Sequence, residues 1–351
     1  MKRAAFAVPG DLDTPTGGYA YDKRIIAELR ALGWEIDVID LGSAFPDPDR
    51  ATRASALAKL QAAADGQAIV IDGLAFGVMA EEAAKLRETN PLVALVHHPL
   101  ALETGLDAAA AAALRASERA ALACTQAVIV TSAPTADILR RDYGVAVERV
   151  AVIRPGVDRP AHAGRSEGAG AAVNLLAVGS ITPRKGYDIL IEVLGSLKDL
   201  RWQLTIAGDT TRSAAAFARL QADIARLKLQ DRIVVTGALD QARLGMLYAN
   251  ADVFVLASLF EGYGMVFGEA VAHGLPIVAT AVGAAQEIVP PDAGLLVAPG
   301  DASALRDALR RVIVEPDARN TMAQAAREAS ARLPQWQEQA VAFAKVLEVF
   351  T

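Results

Sequence analysis

Cysteine is almost absent from this sequence. One residue in 351, Cys124, excludes an intramolecular disulfide and any zinc cluster of several thiolates. A lone cysteine among alanines reads as a small buried side chain, and the compartment it suits is a reducing one, the cytoplasm. Basic tracts are missing as well. With a formal net charge of −6 and an isoelectric point near 5.4, nucleic acid is disfavoured as a partner. The same balance weakens docking on anionic lipid but leaves peripheral membrane contact open. No segment reads as an integral membrane span. The richest apolar run, "LDAAAAAALRASERAALA", is broken by Asp107, Arg115, Glu118 and Arg119 and reads as a helix. The opening "MKRAAFAVPGDLD" has too few apolar residues before Pro9 and Gly10 for an export signal, and reads as a first β-strand.

What is present is a repeated plan. The chain is long for one core and comfortable for two domains. Its first half runs "AAFAVPG", a loop, the amphipathic "YDKRIIAELRALG", then "WEIDVID", followed by apolar runs at "AIVIDG", "LVALVHH", "AVIVTS" and "VAVIRPG". Near residue 171 the scheme restarts with "AVNLLAVGS", "GYDILIEVLGSL" and "WQLTIAGD", and continues through "RIVVTGAL", "DVFVLAS", "PIVATAVG" and "GLLVAPG". Continuous apolar strands alternating with helices imply α/β architecture, with parallel sheets covered on both faces. The polar, glycine-containing "DRPAHAGRSEGAG" separates the halves. The expected organisation is a first domain over 1–158, a linker over 159–170, a second domain over 171–330 and a C-terminal helix over 331–351. That helix places Trp336, Ala340, Phe343, Leu347 and Phe350 on one face, which packs most simply across the two domains. Ligands of open parallel sheets bind beyond the carboxyl ends of the strands, so two such domains facing each other would form a cleft.

One stretch, "LFEGYGMVFGEAVAHGLPIVAT" at 259–280, carries the most chemistry. Gly262, Gly264 and Gly268 give G-x-G-x-x-x-G, one residue longer than the dinucleotide fingerprint, and the next strand ends without the acidic residue that fingerprint needs. A different reading fits. Glu261 ends the loop after a strand, and a helix starting near Gly264 and stopping at His273 and Gly274 puts Glu269 inside it. The helix N-terminus offers N–H groups to a diphosphate. The two carboxylates, before and within the helix, can accept hydrogen bonds from hydroxyl pairs on either side of it. Sugar hydroxyls, diphosphate and ribose hydroxyls are the layout of a nucleotide sugar. His273, at the helix end, reads as a cap favoured there as a cation.

This stretch resembles the E-x7-E motif of family 4 retaining glycosyltransferases, which have the GT-B fold of two facing Rossmann-like domains. The resemblance extends along nearly the whole chain, through "TGGYAYDKRIIAELRALGWEIDVI", "VIVTSAPTADILRRDYGV", "VAVIRPGVD" and "LLAVGSITPRKGYDILIEVL". It implies an acceptor-side first domain, a donor-side second domain and the C-terminal helix crossing between them. It also implies roles. Glu261 would contact donor-sugar hydroxyls near the reacting carbon, Glu269 the ribose, and Lys185 the diphosphate. Gly17 and Gly18 would admit backbone N–H groups to the phosphate. The loop residues Gly262, Tyr263, Gly264 and Met265 would line the donor. A histidine facing the donor sugar is expected in "LVHHPL": His97, the first polar residue past the strand, with His98 as the alternative.

The sequence departs from the family where many members carry arginine and this chain has Ser180. Arg184, beside Lys185, is then the nearest guanidinium. Ala284 follows Gly283 where a second glycine is frequent, and Glu287 is assigned a structural role. The D-x-D pairs Asp11/Asp13 and Asp47/Asp49 spell a divalent-ion pattern, but both sit in turn-like contexts where aspartate is common. With lysine and a helix N-terminus available for the diphosphate, no metal or other cofactor is expected. The expected function is transfer of a sugar from a UDP- or GDP-sugar to a small-molecule, glycan or lipid acceptor bearing a hydroxyl, with retained configuration. The alternatives are a sugar-nucleotide epimerase or phosphorylase on the same fold, or a non-catalytic nucleotide-sugar-binding protein.

Overall fold

Each apolar run expected to be a strand forms one, and every strand among the described residues pairs in parallel. The structure is a computed structural model describing residues 2–63, 66–160 and 172–350. Most of the expected linker, residues 161–170, lies outside the described residues. The first sheet comprises β1 (Arg3–Val8), β2 (Glu35–Asp40), β3 (Ala68–Asp72), β4 (Leu92–Val96), β5 (Ala127–Val130) and β6 (Val150–Val152), in the order β2-β1-β3-β4-β5-β6. The second comprises β7 (Val173–Val178), β8 (Trp202–Ala207), β9 (Ile233–Gly237), β10 (Val253–Leu256), β11 (Ile277–Thr280) and β12 (Gly294–Val297), in the order β12-β11-β10-β7-β8-β9. Every residue of β3 and β4, and of β10 and β11, is buried, as strands covered by helices on both faces must be.

Both strand orders reverse direction once. In the first sheet the chain goes outward from β1 to β2 and then returns past β1 to β3; in the second it goes from β7 through β8 to β9 and returns to β10. Loops diverge at such a reversal and leave a crevice beyond the carboxyl ends of the two flanking strands. The segments after β1 and β3, and those after β7 and β10, are therefore where each sheet is built to hold a ligand.

Two compact units divide the chain: residues up to Gly156 together with Pro334–Thr351, and Val157–Leu333. The C-terminal helix, Trp336–Leu347, thus belongs to the first unit. Its apolar face buries Trp336, Ala340, Phe343 and Leu347, with Phe350 half-buried beyond its end. Phe343 stacks over Phe6 of β1 at 6.2 Å between ring centroids, and Trp336 lies 5.8 Å from Tyr21. Twelve residues make a marginal helix in isolation. Burial of three large side chains, worth about 1.5–3 kcal/mol each, holds it in place. Among the described residues no helix is long and apolar enough to cross a membrane.

The first helix spans Gly17–Ala31 and starts four residues before the amphipathic pattern does. Thr16 explains this: its hydroxyl accepts the Tyr19 N–H at 3.2 Å, an N-cap that offsets the poor helix propensity of two glycines. Gly17 and Gly18 therefore lie in the first helical turn instead of the loop.

Candidate active site

In the second unit the two loops at the strand reversal meet through one carboxylate. After β7 the chain turns through Pro183–Lys185, and after β10 it reaches Glu261. Glu261 is only 5 % exposed. Its Oε1 accepts from Lys185 Nζ at 2.6 Å and from Ser258 Oγ at 2.7 Å, and its Oε2 accepts from Arg184 Nη1 at 3.0 Å. Arg184 also donates to the Phe260 carbonyl at 2.9 Å. Burial alone would raise the carboxyl, but Lys185 and then Arg184 outweigh it and hold the pKa down at about 2. Glu261 is therefore an anion throughout the physiological range. The resemblance implies a diphosphate for Lys185; in the structure Lys185 pairs with Glu261. Gly283 makes this close loop packing feasible. It has φ +54, and a Cβ there would sit 2.2 Å from the Glu261 carbonyl oxygen.

Directly after Glu261, Gly262 and Tyr263 are buried, and Gly264, in the left-handed region at φ +85, starts the helix Met265–Ala272. No side chain caps that start, which leaves first-turn N–H groups to meet an anion. Met265 is half-buried at the first helical position. Glu269 projects from the next turn, and Tyr248 donates its O–H to Oε2 at 2.7 Å. Burial raises the Glu269 carboxyl above its ordinary value, against the pull of this hydrogen bond. The Tyr248 ring also stacks on His273 at 4.9 Å. His273 does cap its helix, with Nδ1 placed 2.8 Å from the Glu269 carbonyl. Burial pushes its pKa down, however, so the cap works through a neutral ring's N–H and not through the expected cation. Glu287 is exposed on the short helix Ala285–Ile288.

The first unit assembles a second cluster at its own reversal. His97 follows β4, and its Nε2 lies 3.0 Å from Asp22 Oδ1 and 3.4 Å from Asp72 Oδ2. Asp72 ends β3, and Asp22 comes from the first helix, fully buried. Gly18 lies flat against the imidazole, where an added Cβ would come within 3.1 Å of Cδ2, whereas Gly17 faces open space. Tyr21 meets the ring edge-on at 5.4 Å. Burial opposes charge on His97, but the two aspartates prevail and raise its pKa to about 10. Burial, helped by Asp72, lifts Asp22 to about 7. His98 turns elsewhere, to Glu103 at 3.3 Å. Of the two histidines, only His97 enters the cluster.

Asp22, Asp72, Ser258 and Tyr248 were not singled out from the sequence. Asp22 left a trace, since it occupies the same helical stripe as Ile25, Ile26 and Leu29, where an acid is out of place. Ser258 and Tyr248 left none. Among the described residues one group, Asp22, Asp72 and His97, gathers metal-ligand atoms within 4.8 Å of one another. Both carboxylates converge on the same ring nitrogen, which as Nε2–H serves Asp22 Oδ1 at 3.0 Å and faces Asp72 Oδ2 at 3.4 Å, while Asp22 Oδ2 has no protein donor. The D-x-D aspartates serve local structure: Asp11 Oδ1 accepts the Asp13 N–H at 2.8 Å, and Asp49 Oδ1 the Thr52 N–H at 2.7 Å.

Comparison with known proteins bears on both units. A family model described as Glycosyltransferase Family 4 matches residues 20–159, and one described as Glycosyl transferases group 1 matches residues 169–329. The chain is 31% identical over 244 residues to a D-inositol 3-phosphate glycosyltransferase of Xylanimonas cellulosilytica, covering 65% of this chain and 58% of that protein. It is 30% identical over 277 residues to an MMP alpha-(1->4)-mannosyltransferase of Mycolicibacterium hassiacum, covering 74% and 65%. The chain thus spans less than two thirds of the length of these curated relatives. Solved structures match end to end. A sucrose-phosphate synthase from Thermosynechococcus elongatus superimposes with TM-score 0.86 at 24% identity over 99% of both chains. Anabaena Alr3699/HepE, solved in complex with UDP-glucose, gives TM-score 0.80 at 20% identity over 99% of this chain and 100% of that one.

Proposed function

This chain belongs to the family 4 glycosyltransferases of the GT-B fold, and within that family we propose that it moves a sugar from a UDP- or GDP-sugar to a hydroxyl-bearing acceptor. The anomeric configuration is retained and no metal is required. One observation carries the reading: the buried, ionised Glu261, clamped by Lys185 and Arg184 where the loops after β7 and β10 meet, stands immediately before an uncapped helix that bears Glu269. On this reading the donor diphosphate takes the helix N-terminus at Gly264 and Met265, and draws Lys185 and Arg184 toward itself. Glu269 accepts from the ribose hydroxyls, and Glu261 from the sugar hydroxyls nearest the reacting carbon. Gly262 and Tyr263 shape the loop between them. Gly17 and Gly18 present N–H groups of the first helical turn to phosphate, and His97 serves the sugar.

In the reaction the bond from the anomeric carbon to the diphosphate oxygen breaks and a bond to the acceptor oxygen forms on the same face. The acceptor's proton passes to the departing phosphate. Developing negative charge on that leaving group is what Lys185, Arg184 and the helix N-terminus stabilise, so catalysis is mostly positioning and electrostatics. The UDP-glucose complex of HepE supports the donor class. The inositol-phosphate name of one relative supports a polyhydroxylated acceptor, whether small molecule, glycan or lipid, and the mannosyl name of another supports a hexosyl donor. A single cysteine supports a cytoplasmic setting.

The test is thermal unfolding in EDTA against UDP, GDP, ADP, their sugar conjugates and NADH, followed by an acceptor screen with the donor that binds. A ligand at 100 times its Kd stabilises by about 2.7 kcal/mol. Stabilisation by one nucleotide and its sugar, lost in Glu269→Ala, and sugar transfer without metal support the proposal. Stabilisation by NADH alone refutes it. Release of sugar phosphate with inorganic phosphate would indicate a phosphorylase, sugar isomerisation an epimerase, and binding with neither transfer nor slow donor hydrolysis a binding protein.

A further inference from the structure

Asp22 is a buried acid on the apolar stripe of the first helix, among residues that otherwise pack as hydrocarbon. A carboxyl group in such a place is unfavourable unless something compensates it. Its Oδ1 meets the Nε2 of His97 at 3.0 Å, its second oxygen has no protein donor, and the neighbouring Asp72 carboxyl adds to the upward push that burial gives it. Asp72 approaches the same nitrogen at 3.4 Å from the end of β3. The ring is further fixed by Gly18 beneath it and by the edge of Tyr21, whose hydroxyl is committed to the Ile153 carbonyl at 3.0 Å. Thr131, after β5, donates to the His97 carbonyl at 3.4 Å and adds no charge. The charged neighbour in sequence, His98, is turned to Glu103. The charges facing His97 are thus the two aspartates, one from the helix and one from the sheet, both on a single ring nitrogen. The side chain nevertheless remains 20% exposed.

We propose that Asp22 is a positioning residue for sugar transfer: with Asp72 it holds the Nε2–H of His97, keeping the ring a fixed imidazolium whose Nδ1–H is left for an oxygen of the transferred sugar. Ordinary histidine would be largely neutral at pH 7.5 and free to rotate. A neutral ring that kept its proton on Nε2 for the aspartates would offer Nδ1 only as an acceptor. The carboxylates therefore decide whether His97 donates to substrate at all. The identity of the oxygen rests on the glycosyltransfer reading; the ion cluster does not.

Two measurements on the full chain separate these. The first is the pH titration of the ¹⁵N-labelled histidine rings by NMR, with the His97 signals assigned from their loss in His97→Gln. In the wild type, His97 stays doubly protonated beyond pH 8, and in Asp22→Asn its midpoint falls to about 7.5 or below, toward the ordinary value near 6.5. A wild-type His97 that titrates near the ordinary value, an unchanged midpoint in the variant, or broadening of the His97 signals by stoichiometric Mn²⁺ would overturn the proposal, the last in favour of a metal site. The second is transfer kinetics. Asparagine has the shape of a protonated aspartic acid, so Asp22→Asn should keep pace with the wild type at pH 6 and lose kcat about tenfold or more at pH 8.5, with donor KM within about twofold. Equal kcat at both pH values, or an equal loss at both, would overturn the positioning role. If the wild type transfers no sugar, the titration still decides the cluster and the glycosyltransfer reading alone fails.

Discussion

Replacing Lys185 by Met keeps most of the stem and removes the charge 2.6 Å from Glu261 Oε1. The carboxylate left behind is still buried, with Arg184 Nη1 at 3.0 Å and Ser258 Oγ at 2.7 Å. Its pKa is lowered in the native state from 4.5 to about 2. At 1.36 kcal/mol per unit, that shift corresponds to about 3 kcal/mol favouring the folded, ionised form. The sign follows from the depressed folded value: the stabilisation is fully present above about pH 4.5 and is lost as pH falls through about 2. Lys185 is the largest attractive contribution, so Lys185→Met should cost about 2 kcal/mol, below the 3–5 kcal/mol typical of a broken buried pair because two partners remain. For a unit of this size the melting temperature should fall by about 4–8 °C. The assay is thermal melting at pH 7.5 of the wild type, Lys185→Met, Glu261→Gln and the double variant. Each single change strands a buried partner, so the double variant should lose less than the sum of the two, by about 1.5 kcal/mol or more. A Lys185→Met melt within about 1 °C of wild type, or strictly additive losses, would refute this reasoning.

Tyr248→Phe removes the hydroxyl donated to Glu269 and should weaken nucleoside-diphosphate binding by about 1–2 kcal/mol in calorimetry. That hydrogen bond opposes the upward shift of the Glu269 pKa. The deficit should therefore grow as pH falls, and should vanish for a 2′,3′-dideoxy nucleotide; a deficit of the same size with that nucleotide would separate Glu269 from the ribose. Gly283→Ala forces a Cβ to within 2.2 Å of the Glu261 carbonyl oxygen in a left-handed conformation. It should cost about 1–3 kcal/mol of stability and abolish donor-induced stabilisation, whereas Gly17→Ala, with open space around it, should melt at or slightly above wild type. Equal behaviour of the two alanine variants would show that the loop around Glu261 gives way easily.

Much of the candidate site was legible because its residues follow strand ends. Lys185, Glu261 and His97 each come shortly after a continuous apolar run, and parallel topology brings the ends of such runs to one edge of a sheet. Glu269 was legible through the helix start at Gly264. Aspartate on an apolar stripe was visible at Asp22, but its meaning was not, because Asp22 and His97 are separated by 75 residues. The start of the first helix was missed for a local reason: glycine argues against helix, while the Thr16 cap that overrides it is a single hydrogen bond.

The alternation of buried strands and helices, and with it two parallel sheets, was determined by the sequence itself, since periodicity and apolar continuity are properties of short segments. Tertiary structure decided the partners. Lys185 rests on Glu261, Tyr248 on Glu269, and Asp22 with Asp72 on His97. The C-terminal helix settles on the first unit, with Phe343 against Phe6. The partners are brought together by strand order and helix packing, and hydrogen-bonding and charge energies depend on ångström separations that no linear spacing encodes.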